Sequence, residues 1–235
     1  MPGVLIFGGT TEGRELAKKY PRSLVCVTSD YARALLPGDT DCRVGVLDGP
    51  AMESLMRRMK PDTVIDATHP YAARATETIR GCCEKLRIPY QRVARPVSPG
   101  AWRQYAHAVA DTAEAVEALK RTEGNILLTT GSHTAAEYAA ALDTSRLWVR
   151  VLPTAEALSL CLEAGIPASH IIAMQGPFSE ALNAALYDQF SIRVLVTKDS
   201  GQPGGVAEKV IPALKREMEV ILIKRPKEEL CAENR

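Results

Sequence analysis

Short, wholly apolar runs alternate along this chain with longer segments whose apolar residues recur every three to four positions. Val4 to Phe7 has four apolar residues and no alternation, the pattern of a strand buried on both faces. Similar runs lie at Leu24 to Thr28, Cys42 to Leu47, Thr63 to Ala67 and Tyr90 to Val93, and later at Ile126 to Thr129, Leu147 to Val151, Ile171 to Met174, Arg193 to Thr197 and Val220 to Lys224. Between them the helical period predicts a helix from Thr10 to near Tyr20, one over Ala51 to Met59 with Met52, Leu55, Met56 and Met59 on one face, and one over Ala73 to Leu86. In the second half it predicts Asp111 to Arg121 with Ala115, Val116 and Leu119 inward, Thr154 to Ala164 ended by Gly165, a helix reaching about Tyr187, and one carrying Glu208 and Lys209 in its first turns. Strictly alternating strand and helix is the signature of parallel α/β sheets.

Arg95-Pro96-Val97-Ser98-Pro99-Gly100 is the proline- and glycine-rich break between these periodic runs, so two domains are expected, 1–96 and 97–235. Each has the pattern of a Rossmann-like domain with a mainly parallel sheet, and a cleft between the two is expected to hold the ligands. The sequence leaves open which sheet takes the last strand. Charge separates the halves: residues 1–96 carry 15 Lys and Arg against 11 Asp and Glu, the remainder 14 against 17. Over the whole chain the formal charge is +1 and 46% of residues are hydrophobic, which argues against a nucleic-acid partner. No apolar run reaches membrane-spanning length and no basic segment leads into a long apolar one near the N-terminus, so the expectation is a cytoplasmic protein without a membrane partner. Six cysteines without CxxC spacing and four scattered histidines predict reduced thiols and no metal site.

The first candidate site follows the first strand. Gly8, Gly9, Thr10, Thr11, Glu12, Gly13 and Arg14 place small residues and then a helix N-terminus where a phosphate would sit. Gly8 and Gly13 match the first and third glycines of the dinucleotide fingerprint, while the middle position is Thr10 and is expected to offer a hydroxyl in place of bare backbone. The turn reads either as a nucleotide site or as a plain strand-to-helix turn. No Lys followed by Ser or Thr stands after Gly13, so a γ-phosphate loop is excluded. After the second strand, Asp30 would favour NAD whereas Ser29 and Arg33 would accept the 2′-phosphate of NADP; equally, Asp30 would cap a helix starting at Tyr31. The fourth strand runs into Thr68-His69-Pro70-Tyr71, with Pro70 expected as a first helical residue and Thr68 or His69 as its cap. His69 and Tyr71 therefore stand at a carboxyl edge, the ligand side of an open sheet.

In the second half, small polar turns recur at strand ends: Thr130-Gly131-Ser132, Gln175-Gly176-Pro177-Phe178, and Lys198-Asp199-Ser200-Gly201 with Gly204 and Gly205. Glycine amides beside a lysine stabilise negative charge, so the last of these reads as a loop closing on an anion.

Taken together, Phe7 to Arg14, Asp66 to Ala72, Leu127 to Ser132, Gln175 to Phe178 and Thr197 to Gly201 with Gly204-Gly205 resemble the precorrin-6A reductase family of cobalamin biosynthesis. The resemblance spans nearly the whole chain. It implies NADPH-dependent reduction of one double bond of a tetrapyrrole-derived macrocycle, metal-free or carrying cobalt as part of the substrate, to give precorrin-6B or its cobalt form. It implies that Gly8 to Arg14, Ser29, Arg33, Thr68 and His69 border the cofactor. The macrocycle bears acetate and propionate groups, for which Arg95, Arg103, Arg150 and Lys198, with Thr130, Gly131, Ser132, Gln175, Gly176, Asp199, Ser200, Gly201, Gly204 and Gly205 around them, are the candidates. Trp102 and Phe178 are candidates for packing on the ring, or else core aromatics. Lys198, His69, Tyr71 or a water would supply the proton that accompanies hydride transfer. The expected assembly is a monomer or weak homo-oligomer. Two rivals share the scaffold: a dehydrogenase of a small anionic substrate using NAD or NADP, and a nucleotide-sensing regulatory domain.

Overall fold

A computed structural model describes residues 3–93, 100–201 and 204–226. The Arg95 to Pro99 stretch of the expected domain junction, the Gln202-Pro203 pair and the tail from Lys227 lie outside the described residues. The chain divides into two compact units that part between residues 95 and 96.

The first unit runs β1 (Val4–Phe7), α1 (Thr11–Lys19), β2 (Leu24–Val27), α2 (Asp30–Ala34), β3 (Asp41–Val44), α3 (Gly49–Met59), β4 (Thr63–Asp66), α4 (Ala73–Leu86) and β5 (Tyr90–Arg92). Its five strands form one parallel sheet in the order β3-β2-β1-β4-β5. Leu5, Ile6 and Val64 are fully buried because helices cover both faces, which is why β1 shows no alternation. Each such side chain stabilises the fold by roughly 1.5–3 kcal/mol. On one face Met52, Leu55, Met56 and Met59 of α3 pack with Ile79, Cys82 and Cys83 of α4 and with Leu5, Phe7 and Val64. α3 starts on the Asp48 cap, whose carboxylate accepts the Ala51 N–H at 2.9 Å.

The second unit opens with a 3₁₀ turn at Ala101–Tyr105, then β6 (His107–Val109), α5 (Thr112–Leu119), β7 (Asn125–Leu128), a 3₁₀ turn at Ser132–Thr134, α6 (Ala135–Ala141) and β8 (Leu147–Val151). It continues through α7 (Ala155–Glu163), β9 (Ile171–Ala173), α8 (Glu180–Gln189), β10 (Ile192–Lys198), α9 (Val206–Leu214) and β11 (Glu219–Ile223). All six strands are parallel, in the order β6-β11-β10-β7-β8-β9. The last strand thus joins the second sheet. β6 escapes the hydrophobic pattern because it is an edge strand of three residues, two of them exposed, held through its pairing with β11.

Strand order reverses direction between β1 and β4 in the first sheet and between β7 and β10 in the second. Neighbouring chains leave such a pair on opposite sides, opening a crevice beyond their carboxyl ends. These crevices receive the turns at Gly8 to Gly13 and Thr68 to Tyr71, and those at Thr130 to Ser132 and Lys198 to Gly201.

One local expectation is corrected and two open alternatives are decided. α4 begins at Ala73 on an Ala72 cap without a side-chain bond, because His69 to Ala72 closes a turn, Ala72 N–H to His69 O at 2.8 Å, before the helix starts; neither Thr68 nor His69 caps it and Pro70 is not helical. α2 is capped by Ser29, with Asp30 its first residue. Trp102 is a core aromatic, 8% exposed and packed in the cluster containing Val206, Val210 and Leu222.

Candidate active site

At the β1 end, Gly9 has φ +103° and open space where a side chain would project. That leaves its backbone approachable by a ligand. Gly8 and Gly13 serve the close packing of strand on helix: a Cβ on Gly13 would sit 3.0 Å from Gly8 Cα. Thr10 caps α1, its Oγ1 accepting the Gly13 N–H at 3.1 Å and donating to Ala67 O at 2.8 Å across to the β4 side. Its single proton is therefore engaged, which corrects the expectation that Thr10 presents a hydroxyl to a phosphate. Anion affinity at this turn rests instead on backbone N–H groups and the positive end of the α1 dipole. Glu12 lies in that first turn, and Arg14 Nη2 donates to Thr11 Oγ1 at 2.9 Å.

Facing this turn, Asp66 is fully buried at the end of β4. Its carboxylate accepts from Thr68 Oγ1 at 2.7 Å, Thr68 N–H at 3.0 Å, Arg92 Nη1 at 3.0 Å and Tyr90 hydroxyl at 3.0 Å. Burial first and Asp66 second push the Tyr90 phenol pKa far up, which keeps it protonated as a donor. Arg92 Nη1 also donates to Thr68 O at 3.0 Å. This network sets the backbone path of Thr68 to Tyr71. His69 is exposed beyond it, with Nδ1 accepting the Tyr71 N–H at 3.3 Å and the two rings 5.7 Å apart. At the end of β2, Ser29 Oγ accepts the Ala32 N–H at 3.2 Å, so unlike Thr10 it keeps its proton to donate. Arg33 stands exposed in the same short helix.

In the second unit, Lys198 ends β10 and sends Nζ to Thr130 O at 2.7 Å, spanning the β7–β10 crevice. Burial pushes its ammonium pKa down against the opposing pull of Glu137. Thr130 Oγ1 lies 2.8 Å from Thr134 Oγ1, and Gly131 and Gly201 take φ +92° and +74°. Ser132 begins the 3₁₀ turn that leads into α6. Asp199 is buried and grips Arg103 with two bonds, 2.9 and 2.8 Å, so these two groups neutralise each other. Ser200 N–H turns back to Lys198 O at 2.7 Å, and Gly204 N–H to Gly201 O at 3.0 Å, ahead of the Gly205 cap of α9. Arg150, near the end of β8, bonds Asn183 Oδ1 at 2.7 Å and lies over the Phe178 ring at 4.2 Å. Gln175 is exposed and Gly176 precedes Pro177 through a cis bond. The described residues contain no group of three His, Cys, Asp or Glu placed to hold a metal ion.

Comparison with known proteins assigns the scaffold. The family model described as Precorrin-6x reductase CbiJ/CobK matches residues 3–234. The chain belongs to that family. It is therefore an oxidoreductase, and a reductase of this kind draws on a nicotinamide cofactor. The cobalt-precorrin-6A reductase of Priestia megaterium is 33% identical, the match covering 95% of this chain and 91% of that protein. The cobalt-precorrin-6A reductase of Salmonella typhimurium is 35% identical over 95% and 87%. The precorrin-6A reductase of Rhodococcus erythropolis is 31% identical over 96% and 90%. A solved structure titled CobK precorrin-6A reductase shares the fold, with a TM-score of 0.75 at 24% identity over 97% of this chain and 89% of that one.

The reductase's Asp66, Tyr90 and Arg92 were missed as site residues by pattern alone. Their signal was an Asp closing an otherwise apolar strand beside Thr68. Replacing Asp66 by Ala leaves Arg92 and Tyr90 facing a buried gap and is expected to lower the unfolding free energy by about 3–5 kcal/mol in urea titration. Thr10→Val removes both the cap and the bridge to Ala67 and is expected to cost about 1–2 kcal/mol in the same titration, with Thr10→Ser retaining most of it.

Proposed function

We propose that this reductase uses NADPH to saturate one double bond of precorrin-6A or its cobalt complex, the cofactor lying on the first unit and the macrocycle on the second. The observation that carries the cofactor reading is Gly9, approachable and left-handed directly ahead of a capped nine-residue helix. The close Gly8–Gly13 approach fits the same reading, since it leaves no side chain between the turn and a pyrophosphate. Ser29, with a proton to donate, and exposed Arg33 would hold the 2′-phosphate. Thr68 and His69 would border the nicotinamide, and Thr11 to Arg14 the pyrophosphate. NADPH supplies the hydride when bound; the protein's work is to orient it, exclude water and manage a proton. Lys198 suits that last task, because burial eases release of an ammonium proton. His69 and Tyr71 are the alternative donors. On the second unit, Thr130 to Ser132, Gln175-Gly176, Arg150, Lys198 to Gly201 and Gly204-Gly205 would face the macrocycle and its carboxylates. We place the reaction in the cytoplasm, in keeping with free thiols at all five described cysteines and with no described helix long and apolar enough to cross a membrane.

The decisive assay mixes the purified chain with NADPH and precorrin-6A, or its cobalt complex, and follows nicotinamide absorbance. Oxidation with one of the two macrocycles is expected, and none with either overturns the proposal. Arg33→Ala is expected to raise the KM for NADPH about tenfold while leaving that for NADH within twofold, as loss of one charge-assisted contact to the 2′-phosphate requires.

A further inference from the structure

One lysine stands where the packing of the second unit calls for an apolar side chain. α9 buries Val206, Val210 and Ala213, and Lys209 lies among them, 7% exposed. The Lys209 backbone carbonyl accepts the Tyr187 hydroxyl at 2.9 Å, tying α9 to α8. Among the described residues no hydrogen bond or ion pair to its ammonium is found. Burial drives the Lys209 pKa down to about 7, with Arg150 adding repulsion and Glu208 opposing it.

Arg150 is a second buried cation, 6% exposed, and its pKa too is pushed down by burial. Its described contacts are a neutral amide, Asn183, and the face of Phe178. The neighbouring carboxylate offsets Lys209 only through space, since no hydrogen bond joins the two and Glu208 Oε2 is buried without a hydrogen-bond partner. Two desolvated cations close enough to repel each other, with no carboxylate bonded to either, are costly unless an anion joins them.

The location suits a ligand. Arg150 is the penultimate residue of β8, Phe178 precedes α8, and Lys209 lies near the start of α9, so all three gather at the carboxyl edge of the sheet. Beside them Leu152 and Met174, each following its strand and linked through Met174 N–H to Val151 O at 3.0 Å, expose apolar side chains. Apolar surface next to a buried cation pair matches a flat ring edged with carboxylates.

We propose that the Arg150 guanidinium and the Lys209 ammonium together receive one carboxylate side chain of the macrocycle, making Lys209 a substrate-positioning residue. This rests on the macrocycle being bound by the second unit. Lys209 must be protonated to act, so macrocycle affinity holds while both the lysine and the macrocycle carboxylate are ionised and weakens as pH rises through about 7. Arg150 from β8 stays charged there, Tyr187 from α8 stays neutral because burial raises its pKa, and Glu208 is the acid on the same helix.

The test is Lys209→Met in the full chain, with direct titration of precorrin-6A against wild type and variant, in parallel with NADPH titration and turnover. Methionine fills an apolar site without a charge to desolvate, so the thermal midpoint is expected not to fall. The macrocycle Kd is expected to rise about 10- to 100-fold with its pH dependence flattened, while the NADPH Kd stays within twofold. An unchanged macrocycle Kd in Lys209→Met overturns the inference, whatever happens to stability. A weakened NADPH Kd instead assigns the pair to the cofactor's phosphate and overturns it as well. Wild-type protein that binds the macrocycle without oxidising NADPH contradicts the proposed function, yet the two macrocycle Kd values still decide the role of Lys209.

Discussion

A strand covered by helices on both faces has no room for polar groups along its length, so all the chemistry of such a sheet gathers at strand ends. Leu5, Ile6, Leu127 and Leu195 are fully buried on the central strands, and the first polar side chains appear where those strands stop. At each reversal of strand order a crevice opens, and one side chain crosses it. Thr10 bridges to Ala67 O in the first unit, Lys198 to Thr130 O in the second. These bonds satisfy backbone carbonyls that have run out of ladder partners, and they hold the rims of the crevices apart at a defined width.

Behind each bridge stands a buried carboxylate clamped by arginine. Asp66 closes β4 and is held by Arg92; Asp199 follows β10 and is held by Arg103. In both cases the aspartate is anchored in the sheet and the loop beside it carries the exposed groups. The two units differ in how they offer positive charge. The first presents a helix N-terminus and neutral hydroxyls, a setting for phosphate; the second presents cations set among apolar side chains, a setting for carboxylates on a hydrophobic ring.

Much of this was legible in the residues. Uniformly apolar runs such as Val4 to Phe7 have one explanation, burial on both faces, and their alternation with amphipathic helices leaves little but parallel sheets. α3 and α4 keep their period because each meets the sheet along a single stripe. The turns at Gly8, Thr130 and Lys198 were visible as small and charged residues at strand ends. Where the reading slipped, a contact that the hydrophobic pattern does not encode decided the outcome, local in one case and distant in the other. The turn at His69 to Ala72 delays α4 past Pro70, and β6 exists only through β11, more than one hundred residues later.

Sequence by itself determined the fold class, the alternation of strand and helix and the family, because periodicity and turn chemistry are local and family motifs are linear. Tertiary structure alone decided which groups remain free to act. Thr10 and Ser29 are both hydroxyls ahead of a helix, yet only the tertiary bond to Ala67 takes the Thr10 proton and leaves the Ser29 proton available. Lys209 reads as one more charge in a helix until packing turns it inward beside Arg150. Hydrogen-bond satisfaction and desolvation depend on neighbours far away in the chain, and no local pattern encodes them.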